Sequence, residues 1–202
     1  DSSFYYLTGF KEPESVLVIT SGKNPKSILF CREKNPKIEL WTGSWCGPSL
    51  AKKKFGFTAA HPIGKLDKVM LKLLCGKTDI YFHFRHEAET NKFLRWLDAA
   101  YRTKHGGTHP SVHDVEKLIG EMRLIKEPQE IDMMRRAGEI SAEGHLRAMR
   151  VCKPGMMEYE LAAEIESVFR KRGGDPLNAY PSIVAGGANA CTIHYTENNC
   201  RL

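Results

Sequence analysis

A glycine- and proline-containing stretch at residues 105–110 separates two parts of the chain that have different hydrophobic patterns. Before this stretch, short apolar runs alternate with amphipathic segments, which is typical of a domain that mixes strands and helices. After it, apolar residues recur mainly at helical spacing. A chain of 202 residues lies between one large domain and two small ones. The change in pattern favours two domains.

The first part of the chain carries both strand and helix patterns. Two apolar runs, residues 16–19 and 28–30, flank a turn-rich segment and therefore predict adjacent antiparallel strands. Further strands are predicted at residues 38–42 and 80–84 and in the opening YYLTGF. Apolar residues at helical spacing predict helices over residues 65–74 and 86–101. These alternating elements indicate a small α/β domain.

The second part of the chain is predicted to be mainly helical. Helices are expected over residues 112–124, from Pro128 to Pro154, and over residues 157–169. Pro128 suits the first turn of a helix because the amide hydrogen that it lacks would have no partner there. Beyond these helices, residues 180–184 predict a strand that runs into a pair of glycines.

The charge of the chain does not single out a nucleic-acid site. Thirty Lys and Arg residues against 24 Asp and Glu residues give a net charge of +6. The lysines of the first part are dispersed along the sequence and are not interleaved with aromatic residues, as they often are in nucleic-acid-binding proteins. We interpret the excess of positive charge as a solvated basic surface and predict no nucleic-acid partner.

The six cysteines and the lengths of the apolar runs indicate the compartment in which the protein acts. The cysteines form no C-x-x-C pair and no regular framework, so they predict neither a zinc ribbon nor a disulfide scaffold. Reduced thiols of this kind favour a cytoplasmic protein. No apolar run approaches the length needed to cross a bilayer, and no membrane partner is predicted.

Histidines provide the first candidates for a metal site. His105, His109 and His113 are spaced four residues apart, which on one helix would stack three imidazoles. Two glycines and a proline between them break such a helix, so a solvated linker is the better interpretation. We interpret His83 and His86 as surface or interface residues. Neither a G-x-S-x-G elbow nor a phosphate-binding loop is present, and local chemistry alone names no reaction.

Four longer stretches of the chain follow one another over almost its whole length. They are FYYLTGFKEPESVLVI, EMRLIKEPQEIDMMRRAGEISAEGHLRAM, KPGMMEYELAAEIE and YPSIVAGGANACTIHYTEN. In this order they resemble the Xaa-Pro aminopeptidases (aminopeptidase P) of the pita-bread metallopeptidases. The resemblance implies an α/β fold class with two parts. Residues 1–123 would be an N-terminal creatinase/aminopeptidase P-type α/β domain, and residues 124–202 the beginning of a pita-bread α+β catalytic domain.

The resemblance also implies an activity and its cofactors. The family hydrolyses the N-terminal residue from peptides with proline in second position and uses two divalent metal ions, commonly manganese. Such ions lower the pKa of bound water and stabilise an oxyanion. The family's metal ligands follow the HYTEN segment, so the resemblance implies no metal ligand in this chain. We therefore expect a piece of a larger enzyme that is inactive by itself.

Three residues match functional positions of the family. His194 matches a catalytic histidine that is not a metal ligand but hydrogen-bonds substrate and the developing tetrahedral intermediate. Tyr180 matches a substrate-binding position. Trp41 matches an aromatic residue that one subunit lends to the active site of its neighbour, which implies a homo-oligomer. Asn198 is expected to hold the local backbone.

Each of these residues also has an ordinary interpretation, and two other functions remain open. His194 suits a structural histidine at the end of a strand, Tyr180 suits core or turn packing, and Trp41 suits the cover of a domain edge. Some pita-bread proteins have lost their metals, so a non-catalytic peptide- or protein-binding module is the main alternative. A free-standing oligomerisation domain of residues 1–123 is the third possibility.

Overall fold

The computed structural model describes residues 1–102 and 109–202. These residues form two compact units, Asp1–Leu124 and Ile125–Leu202. Most of the loop predicted at residues 105–110, including His105 of the three-histidine set, lies outside the described residues. In the described ranges, no helix is long and apolar enough to span a membrane.

The first unit is built on a three-stranded sheet in the order β1-β2-β3. The hairpin of β1 (Val16–Thr20) and β2 (Lys26–Cys31) confirms the predicted antiparallel pair, and β2 runs parallel to β3 (Ala59–Pro62). A second, two-stranded parallel sheet joins β4 (Asp79–Phe82) to β5 (Ser111–Asp114). The strand predicted at residues 80–84 is therefore confirmed over its first three residues.

In the described residues of the first unit, six helices accompany the sheets, and a 3-10 turn at Ile63–Lys65 precedes the fourth. The helices are α1 (Ser2–Thr8), α2 (Pro36–Thr42), α3 (Gly47–Phe55), α4 (Leu66–Leu74), α5 (Glu87–Arg102) and α6 (Val115–Leu124). The predictions over residues 65–74 and 86–101 are confirmed by α4 and α5. Both of these helices present one apolar stripe to the core.

Three sequence-based assignments in the first unit are wrong, and local chemistry explains two of them. Residues 5–8 of the YYLTGF segment belong to helix α1 and not to a strand, because the Asp1 carboxylate accepts from the Phe4 amide and caps the helix. Residues 38–42 belong to helix α2, which is capped by the Asn35 side chain. Residues 112–114, predicted as the first turn of a helix, extend β5 because they pair with β4.

Strand β2 is the centre of the first unit and separates two apolar clusters. Ile28 and Phe30 face one cluster, which is completed mainly by α4 and α5. Leu29 and Cys31 face the other, together with residues of α3. Successive side chains of a strand point to opposite faces, so a run of four buried residues at the end of β2 supplies both cores. A fully buried side chain of this size contributes roughly 1.5–3 kcal/mol.

The second unit is built on two long helices, α7 (Pro128–Val151) and α8 (Glu158–Lys171). The predicted helix start at Pro128 is confirmed, although α7 ends at Val151, before the predicted end at Pro154. The two helices approach closely at Gly144, where a Cβ atom would lie 2.7 Å from the Phe169 ring. Glycine at this position therefore allows the helices to pack.

The remainder of the second unit is irregular. The strand predicted at residues 180–184 does not form, and a 3-10 turn occupies Gly187–Cys191. The chain end returns to the start of α8, where the amide of Leu202 donates to the carbonyl of Met156 and the amide of Glu158 donates to the carbonyl of Cys200. These bonds bring the HYTEN segment, residues 194–198, next to α8.

Candidate active site

A cleft in the second unit brings together two of the three residues expected in the site. Its walls are Tyr180, Pro181, Ile183, His194 and Thr196, and its volume is about 500 Å³. Three of the five lining residues are apolar or aromatic, and the imidazole is the one titratable nitrogen group among them. The cleft can therefore receive an apolar ring beside a hydrogen-bonding group. It carries no carboxylate in its lining.

The backbone at His194 is unusual. Its φ angle of 61° lies in the left-handed region, and that of Asn198, at 47°, does too. Residues other than glycine adopt this conformation uncommonly, although asparagine and histidine do so more often than most. Such a conformation costs on the order of 1–3 kcal/mol and persists where surrounding contacts fix it. The contacts around His194 are therefore important for its placement.

Asn198 is the first of these contacts. Its carbonyl oxygen accepts from the amide of Val184 at 2.8 Å, and its amide group donates to the carbonyl oxygens of Ser182 at 2.8 Å and Thr196 at 3.1 Å. The expectation that Asn198 holds the local backbone is confirmed. The bonds to Val184 and Ser182 join the two segments that line the cleft, and the bond to Thr196 lies within one of them.

Glu158 supplies the second set of bonds near His194, through the neighbouring Tyr195, and the sequence indicated nothing more than a negative charge at a helix start. The residue is fully buried. One carboxylate oxygen accepts from the Gly186 amide at 2.9 Å and from the Asn189 side chain at 3.3 Å. The other accepts from the Tyr195 hydroxyl at 2.7 Å and from the Cys200 amide at 3.0 Å. The sequence offered no signal of this burial, because a glutamate at the first position of an amphipathic helix is usually exposed.

The protonation of this carboxylate is set by two opposing effects. Burial raises the pKa of Glu158, but the hydrogen bonds from Gly186, Cys200, Tyr195 and Asn189 outweigh burial and lower it to about 2. Its position in the first turn of α8 also favours a negative charge. The hydrogen bond to Glu158, and then burial, raise the pKa of Tyr195. At neutral pH the pair is therefore a carboxylate and a neutral phenol.

Trp41, the third expected site residue, lies in the first unit. It is on helix α2, is 86% exposed, and is not among the residues that line the cleft. Leu40 beside it is 82% exposed. The nearby Trp45 differs, because its ring lies under the Arg32 guanidinium at 4.1 Å and its ring nitrogen donates to Thr42. Leu40 and Trp41 are thus two strongly exposed apolar side chains that follow one another on α2.

The residues that the structure describes do not fit a metal centre. Among the described residues, no three His, Cys, Asp or Glu side chains are grouped so that they could hold an ion. Two of the other candidate histidines lie beside carboxylates: His83 lies 2.8 Å from a carboxylate oxygen of Glu116, and His113 lies 3.1 Å from one of Asp79. His194 itself is surrounded in the cleft by apolar and hydroxyl-bearing side chains.

Comparison with known proteins places both units. Residues 1–81 match the family described as aminopeptidase P, N-terminal domain, and residues 132–202 match metallopeptidase family M24. The Xaa-Pro aminopeptidase of Escherichia coli is 37% identical over 209 residues, which cover 100% of this chain and 47% of that protein. The chain spans about half the length of the curated relatives that it matches.

Solved structures give the same result. The proline aminopeptidase P II of Yersinia pestis superposes with a TM-score of 0.93 at 37% identity, over 100% of this chain and 47% of that one. The aminopeptidase P of E. coli, solved with the inhibitor Pro-Leu, gives a TM-score of 0.92 at 36% identity, again over 100% and 47%.

The α/β unit followed by the start of an M24 domain defines a metallopeptidase of the pita-bread class, as the sequence predicted. Within that class, the chain belongs to the aminopeptidase P group of metallopeptidase family M24.

Proposed function

We propose that the whole protein containing this chain is a metal-dependent Xaa-Pro aminopeptidase, which removes the N-terminal residue from peptides with proline in second position. The observation that carries the proposal is the cleft in which His194 and Tyr180 lie together, inside the unit that matches family M24. The names of the relatives support the same reaction.

The chemistry of the cleft suits this substrate. An imidazole can donate a hydrogen bond to the scissile carbonyl and to the oxyanion that develops from it, and a bond that strengthens as charge develops accelerates the reaction. We assign this role to His194. Tyr180, with Pro181 and Ile183, offers apolar surface to a prolyl ring. The binding of the inhibitor Pro-Leu by the E. coli relative is in keeping with such a surface.

The metal ions are part of the proposal. Membership of family M24 implies divalent metal ions, and we propose manganese. Because the described residues do not fit a metal site, we assign no step of the reaction on this chain to the ions. When bound, they would supply an activated water.

The remaining parts of the proposal concern organisation. We propose that residues 1–123 act as the N-terminal domain and residues 124–202 as part of the catalytic domain. The protein would act in the cytoplasm as a homo-oligomer in which Trp41 contacts a neighbouring subunit. The strong exposure of Trp41 and Leu40 supports an interface at α2.

The activity can be tested on the whole protein with a pair of peptides that differ only in having proline or alanine in second position. We expect hydrolysis of the Xaa-Pro peptide to require manganese and to stop when a chelator is added. The Xaa-Ala peptide serves as the control and is expected to be cut far more slowly. Equal cleavage of both peptides, or activity that survives metal removal, would contradict the proposal.

The subunit contact can be tested separately by replacing Trp41 with alanine. A tryptophan at the centre of an interface contributes about 2 kcal/mol or more, which is roughly a 30-fold weakening of association when it is lost. Light scattering over a dilution series is expected to show dissociation at higher concentration than for the unaltered protein. Lys37→Ala, an exposed position on the same helix, is the control. An unchanged mass profile would rule out this contact.

A further inference from the structure

The walls of the cleft are held together by side chains. Residues 180–186 and 193–200 form no strand, and within the described part of the chain no backbone-to-backbone hydrogen bond joins these two segments. Two irregular segments that are not joined by backbone hydrogen bonds can shift relative to each other unless other groups connect them. Two side chains do so, Asn198 from within the second segment and Glu158 from helix α8.

Glu158 makes the more extensive connection. It accepts from Gly186 at the end of the first segment, and from Tyr195 and Cys200 in the second. Its own amide also donates to the carbonyl of Cys200 at 2.9 Å. The carboxylate thus fixes both segments to the first turn of one long helix.

The connection reaches His194 through its neighbour. Tyr195 is 6% exposed and is directed into the protein by its bond to Glu158, whereas His194 is exposed in the cleft. The two consecutive side chains point in opposite directions, and the backbone at His194 is left-handed. This arrangement needs a group that holds Tyr195 on the buried side. Glu158 is that group, and we call it the anchor. Together with the hydrogen bonds of Asn198, the anchor supports the strained conformation.

The chemistry of the anchor requires a carboxylate and not an amide. All four donors that face Glu158 are neutral N–H or O–H groups, two to each oxygen. A glutamine would place its NH₂ group against two of these donors, and at least one backbone amide, that of Gly186 or Cys200, would lose its acceptor. An ionised, fully accepting group satisfies all of them.

We propose that Glu158 is a positioning residue for His194, holding the imidazole in the cleft through Tyr195 and the two wall segments. The inference rests on the proposed peptidase function and adds to it a residue that does not touch substrate. A displacement of about 1 Å in a catalytic group can lower the rate about 100-fold.

A double-mutant cycle on the whole protein separates positioning from general damage. Glu158→Gln is expected to lower kcat/KM for an Xaa-Pro peptide by about 10- to 100-fold per folded molecule. In a His194→Ala background the same change is expected to cost less than about twofold, because the group that it positions is already gone. An equal loss in both backgrounds would overturn the proposal.

Two further variants accompany the double-mutant cycle. Tyr195→Phe removes one of the four donors and keeps the ring, so it provides the same comparison if Glu158→Gln fails to fold. Glu164→Gln is the matched control, since Glu164 lies on the same helix in a surface ion pair with Arg147. The control is expected to leave kcat/KM unchanged. A loss in the control as large as in Glu158→Gln would count against the proposal.

A spectroscopic measurement makes the inference independent of activity. In the whole protein with ¹³C-labelled histidine, the His194 signal is identified by its loss in His194→Ala. We expect Glu158→Gln, or Tyr195→Phe if Glu158→Gln fails to fold, to shift or broaden this signal and Glu164→Gln to leave it in place. An unchanged signal in the tested variant overturns the positioning role. A moved signal in a protein that cuts no Xaa-Pro peptide supports the positioning and overturns only the proposed function.

Discussion

Replacing His194 with alanine in the whole protein is expected to lower kcat/KM for Xaa-Pro peptides by roughly 10²- to 10⁴-fold, the range that a positioned acid–base or hydrogen-bonding group contributes. The loss follows from the removal of the one imidazole that lines the cleft. Since its bond to the carbonyl strengthens as negative charge develops, the effect is expected mainly in kcat and less in KM.

The measurement is steady-state hydrolysis of an Xaa-Pro peptide, with metal content and thermal unfolding recorded for each variant. His194→Asn is a useful companion because asparagine retains a donor and tolerates a left-handed backbone. We expect it to recover part of the activity. His113→Ala, which removes an exposed histidine of the first unit, is the control and should have full activity. A His194→Ala enzyme with unchanged kcat/KM would remove this residue from the mechanism.

The sequence predicted the fold where hydrophobic periodicity was strong. The hairpin of β1 and β2 and the helices α4, α5 and α7 carry enough apolar residues at one period to determine their type. Periodicity failed for short segments. In α1 and α2, each seven residues long, a capping side chain and a terminal glycine decide the structure, although the apolar residues alone fit a strand equally well.

The candidate site was predictable only in part, for a different reason. His194 and Tyr180 are 14 positions apart, and family resemblance marked both before the structure brought them into one cleft. The sequence did not mark Glu158 as a site residue, because surface helices commonly begin with a glutamate. Its burial depends on donors up to 42 positions away, such as the Cys200 amide. No local pattern contains that information.

Acid is expected to abolish the stabilising effect of Glu158. Its pKa is lowered from an ordinary value of 4.5 to about 2 in the folded chain. A lowered pKa stabilises the folded state at pH values above the ordinary one. The contribution is therefore complete above about pH 5 and is lost as the pH falls from 4.5 towards 2.

Glu158→Gln removes the ionisable group, so its effect on stability must depend on pH in the same way. In urea denaturation of the chain, we expect the midpoint of Glu158→Gln to lie well below that of the unaltered chain at pH 7, with the two midpoints converging as the pH approaches 2. Glu164→Gln, in an exposed ion pair, is expected to change the midpoint only slightly at pH 7. A difference between Glu158→Gln and the unaltered chain that stays constant from pH 7 to pH 2.5 would mean that the pKa of Glu158 is the same in the folded and unfolded states, which would contradict the lowering of its pKa by the four hydrogen bonds.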